Sequence, residues 1–568
     1  MTGPPSGPAE ARETRHSGVA ILIAAFFAAV AAFPLHAGTP DASPEVDPGM
    51  RMYREGILPS GEKMRADTAG GVTFTGAMAS CAKCHRRSGM GSSEGGTRVR
   101  PVTGTALYHP KEVFGAGHDR KLPVTTRIYP SYTDASLARA IRDGLDPEGR
   151  RFDVAMPRYD LADSDLALLI GYLKSLSTSG APGVTDKVIR FATVVDAMVS
   201  PARRNAVVDV LRTFFRDKNA GTRNEAGRAR VAPWTDYRKL RAYRTWELDV
   251  WELSGPEETW EAQLEEQYRR KPVFALVSGV SAQGWKPVHR FSEQRGIPSL
   301  FPNTDAPEVS GPGHFTVYFS RGVMLEADAL ARHLGGGPDD IRRGPFVQVY
   351  RDDEVGWAAA GAFRKSLAAS GVSDLRDVRL PATGDLSERI LGEAQGGDRP
   401  ATVVLWVPAS DVRRLGERPW GASPPGRIYL SSTIAGTAAA ATLGAPNGEV
   451  YVVHPFALPK GTGERDRVRI WLAARKVPPG DERLQANAFF AAGITGDALD
   501  RMLDFFSREY MLEWVEHMAE ESVNPSAFPR LSLGPGQRFG SKGSYIFRYA
   551  PNDGGFLPVG GWIVPETR

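Results

Sequence analysis

Residues 273–301 read VFALVSGVSAQGWKPVHRFSEQRGIPSLF, and this stretch decides the fold class of the larger part of the chain. The apolar run 273–277 predicts a buried strand, residues 285–295 predict a helix, and residues 297–301 predict a second buried strand. Strands that alternate with helices of this length are typical of a mostly parallel sheet with helices on both faces. The stretch is therefore predicted to be one unit of an α/β sheet.

The same alternation extends in both directions along the chain. Further strands are predicted at 188–195, 246–253, 315–319, 346–350, 402–407 and 427–430. Further helices are predicted at 202–218, 256–269, 325–333, 357–369 and, as one long stretch, 486–520. Because the pattern restarts at 315, the sequence predicts two α/β lobes with a cleft between them.

The beginning of the chain has the pattern of an export signal. Two arginines precede the apolar run 18–33, GVAILIAAFFAAVAAF, and Ala37 is a small residue at its exit. This pattern predicts a signal peptide over 1–37, cut after Ala37 and followed by a linker at 38–48, and hence a periplasmic location. A retained membrane anchor is the alternative, although the run is short for a span of about 20 residues.

Composition limits the partners and the covalent chemistry of the chain. Lys and Arg number 70, Asp and Glu number 66, and the arginines are scattered, so no nucleic-acid partner is expected. The 568 residues include two cysteines, Cys81 and Cys84. An exported chain of this size with one cysteine pair has no framework of structural disulfides. Both thiols are therefore assigned to one local site.

Both cysteines belong to the run Cys81-Ala82-Lys83-Cys84-His85, which matches the C-x-x-C-H attachment signature of c-type haem. Two thiols at this spacing can add to the two vinyl groups on one porphyrin edge, and the adjacent imidazole can then bind the iron. A redox dithiol would follow a strand of a βαβ unit, and a zinc site needs four ligands. The motif predicts one covalent haem c held by Cys81, Cys84 and His85.

A second axial ligand to the iron is expected further along the chain. Met156 lies in a loop just before a predicted helix at 163–176, and a Met ligand opposite a His ligand raises the reduction potential, which suits electron transfer. His109 and His118 are alternative ligands that would give a lower potential. An open sixth position is the third alternative.

Residues 49–178 resemble a class I cytochrome c. The resemblance is carried by the early CAKCH motif, by Met156 followed by Pro157, and by a terminal helix that ends YLKSL at 172–176. It implies a small all-α domain with His85 and Met156 as the axial ligands of the iron. It also implies that the terminal helix packs against the helix that precedes the haem motif.

Residues 187–550, which follow a breaker-rich linker at 179–186, resemble type I periplasmic ligand-binding proteins of branched-chain amino acid and amide transporters. The resemblance is carried by three segments, VIRFATVVDA at 188–197, RGIPSLFP at 295–302 and FPRLSLG at 528–534. It implies a multidomain chain in which a bilobed α/β domain follows the small all-α domain. Residues 551–568 are then expected to be a C-terminal tail.

Candidate ligand contacts lie at strand ends, because open α/β sheets bind ligands beyond the carboxyl ends of their strands. The candidates are Asp196, Ser278, Ser281, Asn303 and Thr304 from the first lobe, and Tyr318, Tyr350 and Trp406 from the second. Serine and backbone groups can bind the carboxylate of a ligand, and aromatic rings can pack against its apolar part. Because no acidic residue is identified as the partner of an α-amino group, amino acid specificity is not implied.

These patterns predict a periplasmic mono-haem electron-transfer protein whose second module binds a small organic ligand or a redox partner, such as a quinone-cofactor dehydrogenase. The alternative is a solute receptor of an ABC-transporter-like system whose haem reports the redox state. The sequence lacks the nucleophile-elbow, zinc-protease and P-loop motifs, so a carrier rather than an enzyme is expected. Peroxide chemistry at an open haem site is the third and least favoured hypothesis.

Overall fold

The computed structural model of the chain describes residues 47–94, 97–109, 111–114, 126–176, 180–231, 244–282, 284–311, 313–337, 345–384, 402–417, 425–443, 448–458, 463–503, 505–553 and 555–565. The predicted signal peptide, its cleavage site at Ala37 and the alternative ligand His118 lie outside these residues. Within the described ranges, no helix is long and apolar enough to cross a membrane.

The module that carries the CAKCH motif spans residues 48–176 and is built from short elements. In its described part, helices α1 to α5 lie at Pro48–Glu55, Ala82–His85, Gly104–Tyr108, Asp134–Asp143 and Asp163–Ser175. Strands β1 to β7 lie at Arg65–Asp67, Thr73–Thr75, Ser92–Glu94, Thr97–Val99, Lys111–Phe114, Thr126–Tyr129 and Arg158–Tyr159. We refer to these residues as the motif module.

The expectation of an all-α motif module is wrong. Strand β1 pairs antiparallel with β2 and with β7, and two ribbons form from β3 with β4 and from β5 with β6. The β1 and β2 segments are too short and too polar for a helical apolar stripe, and threonines such as Thr73 and Thr75 favour extended backbone. The module is therefore a mixed structure in which strands connect the helices.

Helices α1 and α5 cross closely, as the resemblance implied. A Cβ atom on Gly49 would lie 2.4 Å from the carbonyl oxygen of Leu168, so only a glycine permits this approach. The rings of Tyr53 and Tyr172 then pack with their centroids 5.4 Å apart. This crossing forms the core against which the haem motif lies.

The first α/β lobe begins after residue 187 with a parallel sheet. Its strands β8 to β12 lie at Val188–Asp196, Thr245–Leu253, Ala275–Val277, Ser299–Leu300 and Thr316–Val317, and its helices α6 to α8 at Pro201–Val231, Trp260–Arg270 and Lys286–Arg295. The strand order is β12-β11-β10-β8-β9. Phe191 and Trp246 pack on one face of the sheet, and Trp260 and Trp285 are fully buried on the other, so helices cover both faces as predicted.

The second α/β lobe repeats this design. Its helices α9 to α12 lie at Val323–Gly335, Glu354–Ala369, Ala409–Gly416 and Ala440–Leu443, and its strands β13 to β17 at Phe346–Arg351, Leu375–Leu380, Thr402–Trp406, Arg427–Ser431 and Glu449–His454. These strands are parallel to their neighbours in the order β14-β13-β15-β16-β17. Separate apolar clusters cover the two faces of this sheet.

The chain then returns to the first lobe and crosses once more to the second. Helices α13 to α15 lie at Gly463–Ala474, Glu482–Met502 and Arg508–Met518, and strands β18 and β19 at Tyr545–Ala550 and Gly555–Pro558. Helices α13 to α15 share the core of the first lobe, whereas β18 and β19 extend the second sheet in antiparallel fashion. Three crossings therefore connect the lobes, after β12, after β17 and after α15.

Two expectations about this last part of the chain are wrong. The single helix predicted over 486–520 is two helices, because Leu503 adopts a φ of 58°, which a right-handed helix does not allow. The tail predicted over 551–568 contains β19, which pairs with β18 along Phe547–Ala550 and Gly555–Pro558. The break at Leu503 starts α15 in a new direction, with Ser507 capping its first turn.

Candidate haem site and interlobe cleft

The CAKCH motif forms one short helical turn. Cys81 occupies the N-cap of α2, and the backbone N–H of His85 donates to the carbonyl of Cys81 at 2.9 Å. Cys81 is half-buried against the core of the motif module, Cys84 is exposed, and both are free thiols. A haem c is attached through two thioether bonds, which form between free cysteine thiols and one edge of the porphyrin ring. The free thiols of Cys81 and Cys84 lie on one helical turn and therefore fit this attachment.

The ring of His85 is oriented by a backbone carbonyl. Its Nδ1 lies 2.8 Å from the carbonyl oxygen of Arg100. Since a carbonyl only accepts hydrogen bonds, Nδ1 carries the proton and Nε2 keeps its lone pair. Burial lowers the pKa of His85, which favours the neutral imidazole that binds a metal. The bond to Arg100 thus orients the ring and leaves Nε2 of His85 with a free lone pair, an arrangement common among metal-binding histidines.

The loop that carries Met156 lies against the haem motif. Met156 is half-buried and packs on the same core as Cys81. Three residues later, the buried hydroxyl of Tyr159 donates to the Cys81 thiol, and burial raises the pKa of that thiol to about 12. His109, by contrast, is an exposed C-cap of α3. Of the two alternatives within the described residues, Met156 is the one that packs on this core.

Apolar side chains are exposed on both sides of this site. Met78, three residues before Cys81, has 55% of its surface exposed, and Val154, two residues before Met156, has 64% exposed. Single exposed apolar side chains are normal on protein surfaces and carry no weight here. The fit to a haem therefore rests on the two free thiols, on the oriented ring of His85 and on Met156, which packs on the same core.

Helix α15 joins the motif module to the first lobe at a contact that we call the junction, formed by Arg54 and Ser88 with Glu509 and Glu513. The carboxylate of Glu513 accepts from the Ser88 N–H at 2.8 Å and from its Oγ at 2.5 Å. Arg54 donates to Glu509 at 2.6 Å. Burial raises the pKa of Glu513 to about 7, against the hydrogen bonds from Ser88. The segment just after the CAKCH motif is thus held by helix α15.

A cavity that is partly open to solvent lies where the two lobes meet. Both lobes and the crossing segments supply its walls, which are formed by Arg203, Pro302, Asn303, Thr304, Asp305, Tyr318, Phe319, Ser320, Gly322, Thr433, Pro455, Phe456, Arg483, Leu484, Asn487 and Phe528. Polar, charged and aromatic side chains are thus brought together at this cavity.

Three of the predicted contacts line this cavity: Asn303, Thr304 and Tyr318. The side-chain amide of Asn303 donates to Ser278 Oγ at 3.1 Å, so Ser278 supports the wall from behind. The Tyr318 hydroxyl lies 3.0 Å from Nδ1 of His289 and is fully buried. Asn303 and Tyr318 therefore contribute mainly shape, because their polar groups already bond within the protein.

The other predicted contacts lie away from the cavity. The carboxylate of Asp196 accepts from Ser281 Oγ at 3.2 Å and from the N–H of Ala282 at 3.0 Å. Tyr350 and Trp406 are buried in the second lobe, where Tyr350 OH donates to Asp377 at 3.3 Å and Trp406 Nε1 to Gln348 at 3.2 Å. Each of these groups stabilises a strand end or a core.

The second-lobe wall of the cavity is anchored by a buried glutamate. Glu326, in α9, is fully buried and accepts hydrogen bonds from the N–H and Oγ1 of Thr433 at 3.2 and 3.0 Å. Ser431 and Ser432 also donate to it. Burial nevertheless raises the pKa of Glu326 to about 7. Thr433 is therefore held in place by a carboxyl group that does not itself line the cavity.

The lobes also touch at the cleft edge, the contact of Gly284 in the first lobe with Glu354 at the start of α10. The N–H of Gly284 donates to the Glu354 carboxylate, and a Cβ on Gly284 would lie 1.9 Å from its Oε2. Burial raises the pKa of Glu354 to about 7; Glu257 and Glu308 raise it further, and Lys286 lowers it. The lobes are thus closed on each other at this edge.

Comparison with solved structures finds bilobed binding proteins. The chain is similar to a leucine binding protein LivK from Thermotoga maritima MSB8, with 11% identity, a TM-score of 0.48 and coverage of 66% of this chain and 99% of that one. It is similar to a branched chain amino acid ABC transporter from Thermus thermophilus with bound valine, with 14% identity, a TM-score of 0.47 and coverage of 67% and 97%.

A substrate-binding periplasmic protein from Ralstonia solanacearum is also similar, with 16% identity, a TM-score of 0.48 and coverage of 65% of this chain and 100% of that one. No family model matches the chain, and no curated protein matches it.

Sequence reasoning missed the residues that give the cavity its charge and its apolar wall. Arg203 lies in the first turn of α6, just beyond the carboxyl end of β8, so its position after a strand was a usable signal. Arg483 comes from α14, and Phe456 and Phe528 come from two crossing segments. Nothing in the local pattern around these three residues marks them as neighbours of Arg203.

Proposed function

We propose that this chain is a periplasmic solute receptor that carries one covalent haem c. The observation that supports the receptor is the cavity at the hinge between two closed α/β lobes, with walls from both lobes. Binding in such a cavity favours the closed arrangement of the lobes, since a ligand stabilises the state in which it has most contacts. The ligand is a small organic molecule, and the partner that receives it is an ABC-transporter-like system.

The haem belongs to the same proposal. Cys81 and Cys84 would supply the thioether sulfurs, and Nε2 of His85 and the sulfur of Met156 would be the ligands that hold the iron. When bound, a haem c supplies one-electron redox chemistry. The hydrogen bond from His85 to Arg100 orients the imidazole, and the junction ties the segment after the motif to α15 of the binding module.

Electron transfer is the second candidate function, and the oriented His85 with the Met156 loop beside it favours that function. A periplasmic redox partner, such as a quinone-cofactor dehydrogenase, would exchange electrons with the haem. The two functions differ in one respect. In a receptor the ligand shifts the haem potential through the junction, whereas a simple electron carrier keeps the same potential with or without ligand.

The test begins with the full chain expressed together with the haem maturation machinery. We expect a Soret band that survives denaturation, and its loss in a Cys81→Ala, Cys84→Ala double variant. A Met156→Ala variant should keep the covalent haem and lose the charge-transfer band of a Met–iron bond. Absence of covalent haem in the wild-type chain would overturn the haem assignment.

Redox titration then separates the two functions. The ligand is found by thermal shift against amino acids, amides and organic acids, and the midpoint potential is measured with and without it. Because linkage is reciprocal, a receptor whose haem reports ligand must show a shifted midpoint. An unchanged midpoint with a bound ligand would favour the electron carrier, and no thermal shift across the panel would overturn the receptor.

A further inference from the structure

We propose that the interlobe cavity takes small organic carboxylates with an apolar or aromatic body, and that Arg203 and Arg483 hold the carboxylate. This inference rests on the proposed receptor function and names the class of its ligand. It follows from four observations on the cavity walls: one unpartnered guanidinium nitrogen, a second arginine with a distant acid, a phenylalanine wall, and a single acidic side chain.

Arg203 presents a hydrogen-bond donor that the protein leaves unused. Its Nε is buried and has no hydrogen-bond partner, although the residue lines the cavity. A buried polar group without a partner is costly, and native structures retain few of them. Arg203 also lies in the first turn of α6, where the helix dipole already favours a negative charge. The protein therefore leaves the Arg203 guanidinium incompletely bonded, and an anion in the cavity would lie beside this cation.

Arg483 is the second cation of the cavity. Its Nη2 is 3.9 Å from the carboxylate of Asp305, a distance too long for a hydrogen bond, and its guanidinium stacks 5.1 Å from the centre of the Phe456 ring. His454, next to this wall, has its pKa lowered to about 4 by burial and then by Arg465 and Arg483. The hinge region therefore has a positive field that favours an anion.

Three phenylalanines form an aromatic part of the cavity wall. Phe319 and Phe528 stack with ring centroids 5.3 Å apart, and Phe456 packs on Phe528 at 5.2 Å. Because the Arg483 guanidinium lies over the Phe456 ring, the cationic and aromatic parts of the wall are neighbours. Rigid rings can pack against an apolar group at little entropic cost, and arginines orient a carboxylate through paired hydrogen bonds. A carboxylate bound by Arg483 therefore places its hydrocarbon group beside these rings.

The same walls offer few groups that could bind the amino group of a ligand. Among the described residues that line the cavity, Asp305 is the acidic one, and it already faces Arg483. The amides of Asn303 and Asn487 are bonded to each other at 2.9 Å, and the oxygen of Asn487 accepts from the N–H of Ala527. We therefore assign the cavity to carboxylates that lack an α-amino group.

Isothermal titration of the full chain tests this assignment with benzoate, hexanoate, benzamide, leucine and phenylalanine as probes. We expect benzoate and hexanoate to bind, and benzamide, the neutral analogue of benzoate, to bind about tenfold more weakly or less. Arg203→Gln and Arg483→Gln should each weaken benzoate binding by about tenfold for the same reason. Arg469→Gln is the matched control, because Arg469 is exposed and pairs with Glu482 outside the cavity.

Each outcome of the titration decides the inference. Equal binding of benzoate and benzamide, or wild-type affinity of both arginine variants with unchanged melting temperatures, would overturn it. Tighter binding of leucine or phenylalanine than of benzoate would also overturn it, while the receptor function would stand. If no organic acid binds, the inference fails. The receptor fails as well only if amino acids and amides produce no thermal shift either.

Discussion

Two of the contacts that the first lobe makes with the rest of the described chain are built differently. At the junction, buried carboxylates meet partners that compensate them: Glu513 has two hydrogen bonds from Ser88, and Glu509 has Arg54 at 2.6 Å. At the cleft edge, the Glu354 carboxyl has one backbone hydrogen bond from Gly284, and two further glutamates raise its pKa.

The difference lies in how many partners compensate each buried carboxylate. A buried charge with several partners resists separation, because breaking the contact leaves other polar groups unsatisfied. The pKa of a carboxyl is raised to about 7 at both contacts, and two other glutamates contribute to the rise at each, so like charge does not distinguish them. The number of compensating partners does, and we therefore expect the junction to cost more to break than the cleft edge.

The largest effect is expected at the junction from Arg54→Ala. This change leaves Glu509 mostly buried, with Arg87 as a distant partner at 3.8 Å. Removing one partner of a buried ion pair costs about 3 kcal/mol, which urea denaturation of the apo chain measures. Arg65→Ala, at an exposed pair with Asp67, is the control and should change stability by less than about 0.5 kcal/mol. Equal losses of stability in Arg54→Ala and Arg65→Ala would show that the junction stabilises the fold no more than an exposed ion pair does.

A smaller loss is expected from Glu513→Ala. The change leaves the buried Ser88 N–H without its acceptor, and one such unsatisfied group costs about 2 kcal/mol. Glu513→Gln should lose less, because the amide oxygen still accepts one hydrogen bond. Urea denaturation of both variants gives the ranking, and a Gln variant as unstable as the Ala variant would contradict the role of this acceptor.

At the cleft edge, Gly284→Ala tests opening rather than stability. The new Cβ would overlap the Glu354 carboxylate, so the lobes should separate and the radius of gyration from small-angle scattering should rise. The cores of both lobes are untouched, so the free energy of unfolding should change by less than about 1 kcal/mol. Gly361→Ala in α10, where a Cβ meets nothing within 4 Å, is the control. An unchanged radius would show that this contact does not hold the cleft closed.

The smallest effect is the pH dependence of the cleft edge. The closed form raises the pKa of Glu354 to about 7 from its ordinary value of 4.5, so the closed form binds the proton more tightly. Its stability is then greatest below pH 4.5 and falls as the pH rises to about 7. Scattering should show a larger radius at pH 8 than at pH 5, and Glu354→Gln should remove this difference. A difference that survives in Glu354→Gln would assign the titration to another group.

The sequence predicted the presence of helices and strands more reliably than it predicted where they end or which of them pack together. Strands such as Phe346–Arg351 and helices such as Asp163–Ser175 were found because their apolar periodicity is local. The extended segments of the motif module were missed because strands as short as Arg65–Asp67 have too few residues to show a period. The break at Leu503 was missed because a positive φ at a leucine has no sequence signal.

The candidate sites divide in the same way. The haem assignment stays a prediction, and spacing alone sufficed to make it because covalent attachment depends on residues within one turn. Of the residues chosen for their position after a strand, Asn303 and Thr304 line the cavity, whereas Tyr350 lies in a core. The rule identifies an edge of the sheet and does not identify which side chains turn into the cavity.

By itself the sequence determined the α/β character of the two lobes and predicted a haem at the CAKCH motif, because both depend on residues close together along the chain. Only the tertiary structure decided that Ser88 bonds to Glu513, 425 residues away, and that arginines and phenylalanines from separate segments share one cavity. Such contacts are set by how preformed elements pack and by which buried polar groups need partners, and no local pattern records either.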